Sequence, residues 1–254
     1  IQPQARGLAL WDQMLRFYTP LWKMGVDLDV VSPDADFSRY KVVILPGWYV
    51  LNEDFADKVR RYVESGGVVV LNPRTGVKNR CNVCVEIPLP GLLRQVSGVT
   101  VEEYNPLGET TWKVTFGNGD NATVSVWADY LKLDTATPFA WYHESMYADT
   151  PAVARNAYGK GTAWYCGTFG DDTFYKMLLT TILNEARVPY YPELPEDISL
   201  RTLCVNEKRY LVLINLSGKD KSVTLPDACK AILGTSNGRV VQLSPFDVQI
   251  LTEP

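Results

Sequence analysis

The sequence predicts an α/β protein: a doubly wound sheet flanked by helices, followed by a small antiparallel β domain. Three observations carry this expectation. Two continuous apolar runs, "KVVILP" at 41–46 and "VVVLN" at 68–72, suit parallel strands covered on both faces. Helical patterns at 8–24 and 53–65 alternate with strand patterns in the order helix, strand, strand, helix, strand. Beyond residue 196 the chain holds β-patterned runs throughout.

In the first helix, Leu8, Trp11, Leu15, Tyr18 and Trp22 fall at helical spacing and form the expected buried stripe. Pro20 is expected to kink or split it, and Gly25 closes it. "VDLDVV" at 26–31 alternates like a strand. Asn52 is placed to cap the helix over 53–65, which ends at Gly66-Gly67. A doubly wound fold normally places a strand before its first helix, and "IQPQARG" is not one. The chain is therefore expected to begin just after the first strand of its own domain.

From 99 to 170 the texture changes to short β runs, "VTVEEY", "TWKVTF", "ATVSVW" and "PFAWYHESMY", separated by turn residues. "PAVARNAYGKGTAWYCGTF" reads as a hairpin turning at Tyr158-Gly-Lys-Gly161. A helix follows over 171–186, capped by Asp171 or Asp172, with Phe174, Leu178 and Ile182 as its apolar stripe. Three prolines in "RVPYYPELPED" mark a boundary, so the expected domains are 1–190 and 196–254. "RYLVLINLS", "KSVTLP", "KAILG", "RVVQLS" and "DVQILT" build the second.

The bulk numbers exclude several classes. With 46% hydrophobic residues, 254 residues supply ample core. A net charge of −4 without a basic patch argues against a nucleic-acid partner. No apolar run approaches the ~20 residues that span a bilayer. Five cysteines, an odd number, argue for a reducing compartment, and a cytoplasmic location is expected.

The chemistry is tested most directly by "GGVVVLNPRTGVKN" at 66–79. A strand ending in such a turn often carries a Ser or Cys nucleophile, and this turn carries none. Cys81 and Cys84 have the spacing of half a zinc site, but no second such pair exists, so they read as free thiols. His143 is the single histidine and reads as structural. Asn-Glu pairs at 52–53, 184–185 and 206–207 lie at a helix start, a helical tail and a polar turn. None ends a buried parallel strand, as the acid of a glycosidase barrel would, and all three read as coincidental. No phosphate-cradling or dinucleotide signature is present, and no cofactor or metal is expected. Arg74, Thr75, Lys78 and Asn79 are left as a candidate interface loop. A turn at the carboxyl edge of such a sheet lies where partners and ligands meet it, and its cations need only an acidic or carbonyl surface opposite. The alternative is a solvated surface turn.

The succession "YTPLWKMGVDLDVVSPDADFSRYKVVILPGWYVLNEDFADKVRRYVESGGVVVLNPRTGVKN", with "TPAVARNAYGKGTAWYCGTF" and the ending "VVQLSPFDVQIL", resembles the family 42 β-galactosidases. The resemblance covers the middle (trimerisation) domain, which has a flavodoxin-like, amidotransferase-like fold, and the C-terminal β domain. It implies a homotrimer and a missing N-terminal catalytic barrel. That barrel carries both catalytic glutamates, so no catalytic residue is carried over to this chain. The complete enzyme would hydrolyse terminal β-galactosides with retention, and this part would bring subunits together. The competing readings are a freestanding sugar- or protein-binding module and an amidotransferase-like enzyme, the latter opposed by the turn without Cys.

Overall fold

The structure, a computed structural model, describes residues 7–143, 146–206 and 208–252. It divides into two compact units, Ile1–Phe17 with Val31–Arg187, and Tyr18–Val30 with Val188–Pro254.

The first unit is built on a mixed eight-stranded sheet. Its strands are β1 (Val42–Leu45), β2 (Val68–Leu71), β3 (Val99–Phe116), β4 (Asn121–Leu133), β5 (Thr137–Tyr142), β6 (Pro151–Tyr158), β7 (Gly161–Cys166) and β8 (Thr168–Gly170). The order is β1-β2-β7-β6-β5-β3-β4-β8. β1, β2 and β7 run parallel, and the other pairings are antiparallel. β2 lies inside the parallel part, and all four of its residues are buried. β1 is only half-buried before Leu45, because among the described residues it pairs with β2 alone.

β7 and β8 are separated only by Gly167, yet they stand at the third and eighth positions of the sheet. The sheet must curl for this to happen. Gly167 ties the curl: its N–H donates to Ala152 O at 2.8 Å, and its carbonyl accepts from Asp129 N at 2.7 Å.

Helices α1 (Leu10–Lys23), α2 (Glu53–Glu64), the single turn α3 (Arg94–Ser97) and α4 (Asp172–Glu185) complete the elements discussed here. The Asn52 side chain caps α2 by accepting from Phe55 N, and Asp171 caps α4 by accepting from Phe174 N, both at 2.9 Å. Phe174, Leu178 and Ile182 are fully buried, as their spacing requires. The hairpin turns where expected, with Tyr158 paired to Gly161.

Several expectations need correcting. Pro20 lies inside α1 without splitting it. The buried positions of α1 are Gln13, Phe17 and Leu21, whereas Trp11, Leu15 and Tyr18 are exposed. Two apolar stripes share this helix, and periodicity alone does not say which turns inward. Residues 26–31 form no strand, because alternation makes a strand only where a ladder partner meets its backbone. "VTVEEY" and "TWKVTF" join into the one strand β3, whose register shifts between Pro106 and Thr111. His143 is exposed just past β5 rather than packed.

Of the Asn-Glu pairs, the first starts α2. In the second, Glu185 accepts from both Arg155 and Thr162, and from Trp164. Burial alone would raise its carboxyl, but these donors hold it below the usual range. The third pair and the "IQPQARG" segment include positions outside the described residues.

The second unit carries an antiparallel sheet of β9 (Ile198–Val205), β10 (Lys208–Asn215), β11 (Lys221–Leu233), β12 (Asn237–Leu243) and β13 (Val248–Thr252), in the order β12-β11-β13-β10-β9. "KSVTLP" and "KAILG" merge into β11 across a register shift between Thr224 and Cys229. Leu200, Leu211, Leu213, Leu225, Val241 and Leu251 form its core. No helix among the described residues is long and apolar enough to cross a membrane.

The approach of β7 to the end of α2 depends on Gly161. A Cβ there would meet Gly67 O at 2.2 Å and Val63 O at 2.3 Å, both rigid backbone. Gly161→Ala is expected to cost about 3 kcal/mol, read from urea unfolding. A loss within measurement error would show that this junction yields freely.

Candidate functional site

The candidate site lies where β1 and β2 end. Asn72, directly after β2, is buried and bridges three segments. Its Oδ1 accepts from Gly47 N just past β1, and its Nδ2 donates to Gln13 Oε1 on α1, both at 2.9 Å. Gln13 Nε2 in turn donates to Leu8 O at 2.8 Å. This network is why a glutamine occupies the inward face of α1: a buried amide is tolerated only with its partners in place.

The turn then reverses sharply. Arg74 has φ +70 and Gly76 φ +69. A Cβ on Gly76 would lie 2.6 Å from Pro90 O, so this position needs glycine. Thr75 is fully buried, and its Oγ1 donates to Asn72 O at 2.7 Å. A strained residue just past a buried strand is one feature of a nucleophile elbow, although no helix follows directly here. This turn presents an arginine.

The Arg74 guanidinium enters an aromatic cage. Its central carbon lies 5.2 Å from the ring centre of Tyr49 and 5.1 Å from those of Tyr104 and Trp127. Nη2 donates to Tyr49 OH at 2.7 Å. Tyr104 stacks on Trp127 with centroids 4.8 Å apart. Such contacts contribute about 0.5–2 kcal/mol each, more as water is excluded.

Trp127 reaches the cage through a bulge. Val126 has φ +72, which a β-branched residue rarely adopts. It has no partner in either neighbouring register: Ser125 and Trp127 pair with Thr111 and Pro106 on β3, and Ser125 and Ala128 pair with Phe169 and Thr168 on β8. Ala122 and Val124 face inward before it. The extra residue resets the alternation, so Trp127, Asp129 and Leu131 are buried after it.

Asp129 sits beneath this cage. Trp127 Nε1 donates to its Oδ1 at 2.7 Å and Tyr165 OH to its Oδ2 at 2.9 Å. Burial pushes the carboxyl up to about 7, against the lowering by these two donors and by the Arg74 charge. The same burial raises the Tyr165 and Tyr142 hydroxyls, helped by the charge of Asp129.

Of the loop residues named from sequence, Arg74 and Lys78 converge on one ring. Lys78 Nζ lies 5.9 Å from the centre of Tyr49 and donates to Asn82 Oδ1 at 3.0 Å. Thr75 points into the protein, and the Asn79 side chain folds back to accept from Cys81 N and Val83 N at 3.0 and 3.1 Å. Cys81 and Cys84 are free and exposed. Sequence reasoning missed Tyr49, Tyr104, Trp127 and Asp129. The one available signal was an acid within the apolar run "ATVSVWADYLKL".

The class this defines is an α/β unit with a turn that holds a caged cation instead of a nucleophile, joined to an antiparallel β unit. A family profile described as the β-galactosidase trimerisation domain matches residues 1–189, and one described as the β-galactosidase C-terminal domain matches 198–253. The chain belongs to the family 42 β-galactosidases. It is 34% identical to β-galactosidase BgaA of Clostridium cellulovorans over 99% of its own length and 38% of that protein's. With β-galactosidase LacZ of Heyndrickxia coagulans the identity is 33%, over 94% and 36%. The chain thus spans a little over a third of these relatives, and the match is to their C-terminal part. Among solved structures, a β-galactosidase from Rahnella sp. R3 shares 28% identity at a TM-score of 0.85, over 95% of this chain and 36% of that one. The enzyme from Bacillus circulans sp. alkalophilus has the same fold at a TM-score of 0.91 and 24% identity, over 100% and 39%.

The Asp129 carboxyl has a sign that can be tested. Its folded value lies above its ordinary one, so between roughly pH 4 and 7 the folded chain keeps a proton that the unfolded chain has released. This contribution is fully present below that window and is lost as pH rises through it, by an amount on the order of 4 kcal/mol. Asp129→Asn should remove the slope, since the Tyr165 hydroxyl can turn to accept from the new amide. Urea unfolding of both proteins from pH 4.5 to 8 checks this; parallel pH profiles would refute it.

Proposed function

We propose that this chain is the non-catalytic assembly portion of a β-galactosidase. Residues 1–190 act as the trimerisation domain, a flavodoxin-like, doubly wound sheet short of its first strand, and residues 196–254 as the C-terminal domain. The complete enzyme hydrolyses terminal β-D-galactosides with retention, on paired carboxylates held by an N-terminal barrel. The observation that carries this reading is the tandem match to the two profiles, in a chain that covers 38% of a β-galactosidase. Two features support the absent first strand. Among the described residues β1 pairs on one side only, and residues 26–31, which alternate like a strand, have no ladder. In this reading Arg74, Thr75, Lys78 and Asn79 form the docking loop toward the barrel or a neighbouring subunit. Thr75 and Asn79 brace the turn, and the two cations supply its charge. Cysteines that form no disulfide among the described residues agree with a cytoplasmic setting.

Two measurements test the reading. The purified chain should leave a chromogenic β-galactoside intact; turnover that survives purification and disappears when a glutamate of this chain is replaced would refute it. Sedimentation over a wide concentration range should reveal a trimer, and a monomer at every concentration would count against assembly through this chain.

A further inference from the structure

Arg74 is half-buried, yet its hydrogen bonding is incomplete. Among the described residues its guanidinium makes one hydrogen bond, from Nη2 to Tyr49 OH. Nε is buried without an acceptor. Asp129, whose charge acts on the cage, spends its oxygens on Trp127 and Tyr165 instead. An arginine cannot relieve this by giving up its proton. The rings of Tyr49, Tyr104 and Trp127 hold the guanidinium in place, so little rotamer freedom remains to be lost when something binds it. Tyr104 is 40% exposed, so the cage is open to solvent on its side.

These features select the chemistry of the partner. The free edge offers donors only. A sugar ring needs donors and acceptors together, and one face of Tyr104 is already stacked on Trp127. A carboxylate accepts from two guanidinium N–H groups at once in a planar fork. Arginine framed by Tyr and Trp is also the composition in which interface energy concentrates.

We propose that Arg74 is the receptor for a carboxylate, the Asp or Glu side chain of a neighbouring subunit docking at the open side of the cage. This rests on the docking-loop reading above and adds the partner's chemistry to it. The bond would be charge-assisted and partly screened from water, and lysine would not replace arginine, because its point charge lacks the fork.

The test uses the whole 254-residue chain with nitrogen-15-labelled arginine and sodium acetate as the probe. The Nε–H of Arg74, which is buried, is followed by NMR. Acetate should shift this signal saturably, and chloride at equal ionic strength should not. Lys78→Ala should keep the response. No shift, or one that chloride reproduces, overturns the carboxylate proposal. Sedimentation of Arg74→Lys, with its fold checked by circular dichroism, separates the two layers. Self-association at least about tenfold weaker than wild type is expected. If acetate binds but Arg74→Lys assembles normally, the docking reading fails, and with it the neighbouring subunit as the source. If acetate is silent but Arg74→Lys assembles poorly, the loop docks by other means and the carboxylate proposal fails.

Discussion

The first unit depends on burying one carboxylate at the place where its sheet closes. Asp129 joins β4 to β7, strands well separated in the sheet order, through Tyr165 OH, while its own N–H binds the Gly167 carbonyl between β7 and β8. Tyr142 adds a third strand by donating to the same carbonyl at 3.1 Å. A carboxyl in this position is costly to bury, and its hydrogen bonds recover that cost only while the curl holds all the partners together. The polar cluster therefore selects one curvature for a sheet that hydrophobic packing alone would leave adjustable.

The turn after β2 depends on this closure at one remove. Trp127 is both a donor to Asp129 and a wall of the cage around Arg74. The bulge at Val126 delivers them to the same face, at a backbone cost of order 1–3 kcal/mol. A strand and turn at the sheet's edge is thus built around a cation rather than a nucleophile. The turn holds its cation at the sheet's carboxyl edge, among the rings of Tyr49, Tyr104 and Trp127.

Much of this architecture was legible because it is local. The Asn52 and Asp171 caps, the glycine-bounded hairpin and the apolar run of β2 are each specified within a few residues. What sequence could not show was set by distant neighbours. Gln13 is buried because Asn72 receives it from 59 positions away. Residues 26–31 alternate like a strand, but pairing is a property of two segments, not one. The cage draws on residues 49, 74, 104 and 127, whose spacing follows no period, and the bulge that aims Trp127 has no composition of its own.

The left-handed backbone at Arg74 bears on how any substitution there is to be understood. Arginine and alanine at this position carry a similar steric penalty, roughly 1–2 kcal/mol, which glycine escapes. Alanine would therefore delete the cation and keep the strain, whereas glycine would delete the cation and release it. The two variants differ in their backbones and share the loss of the side chain. Comparing them separates the energy stored in the turn from the energy spent in recognition, two quantities that a single truncation would merge.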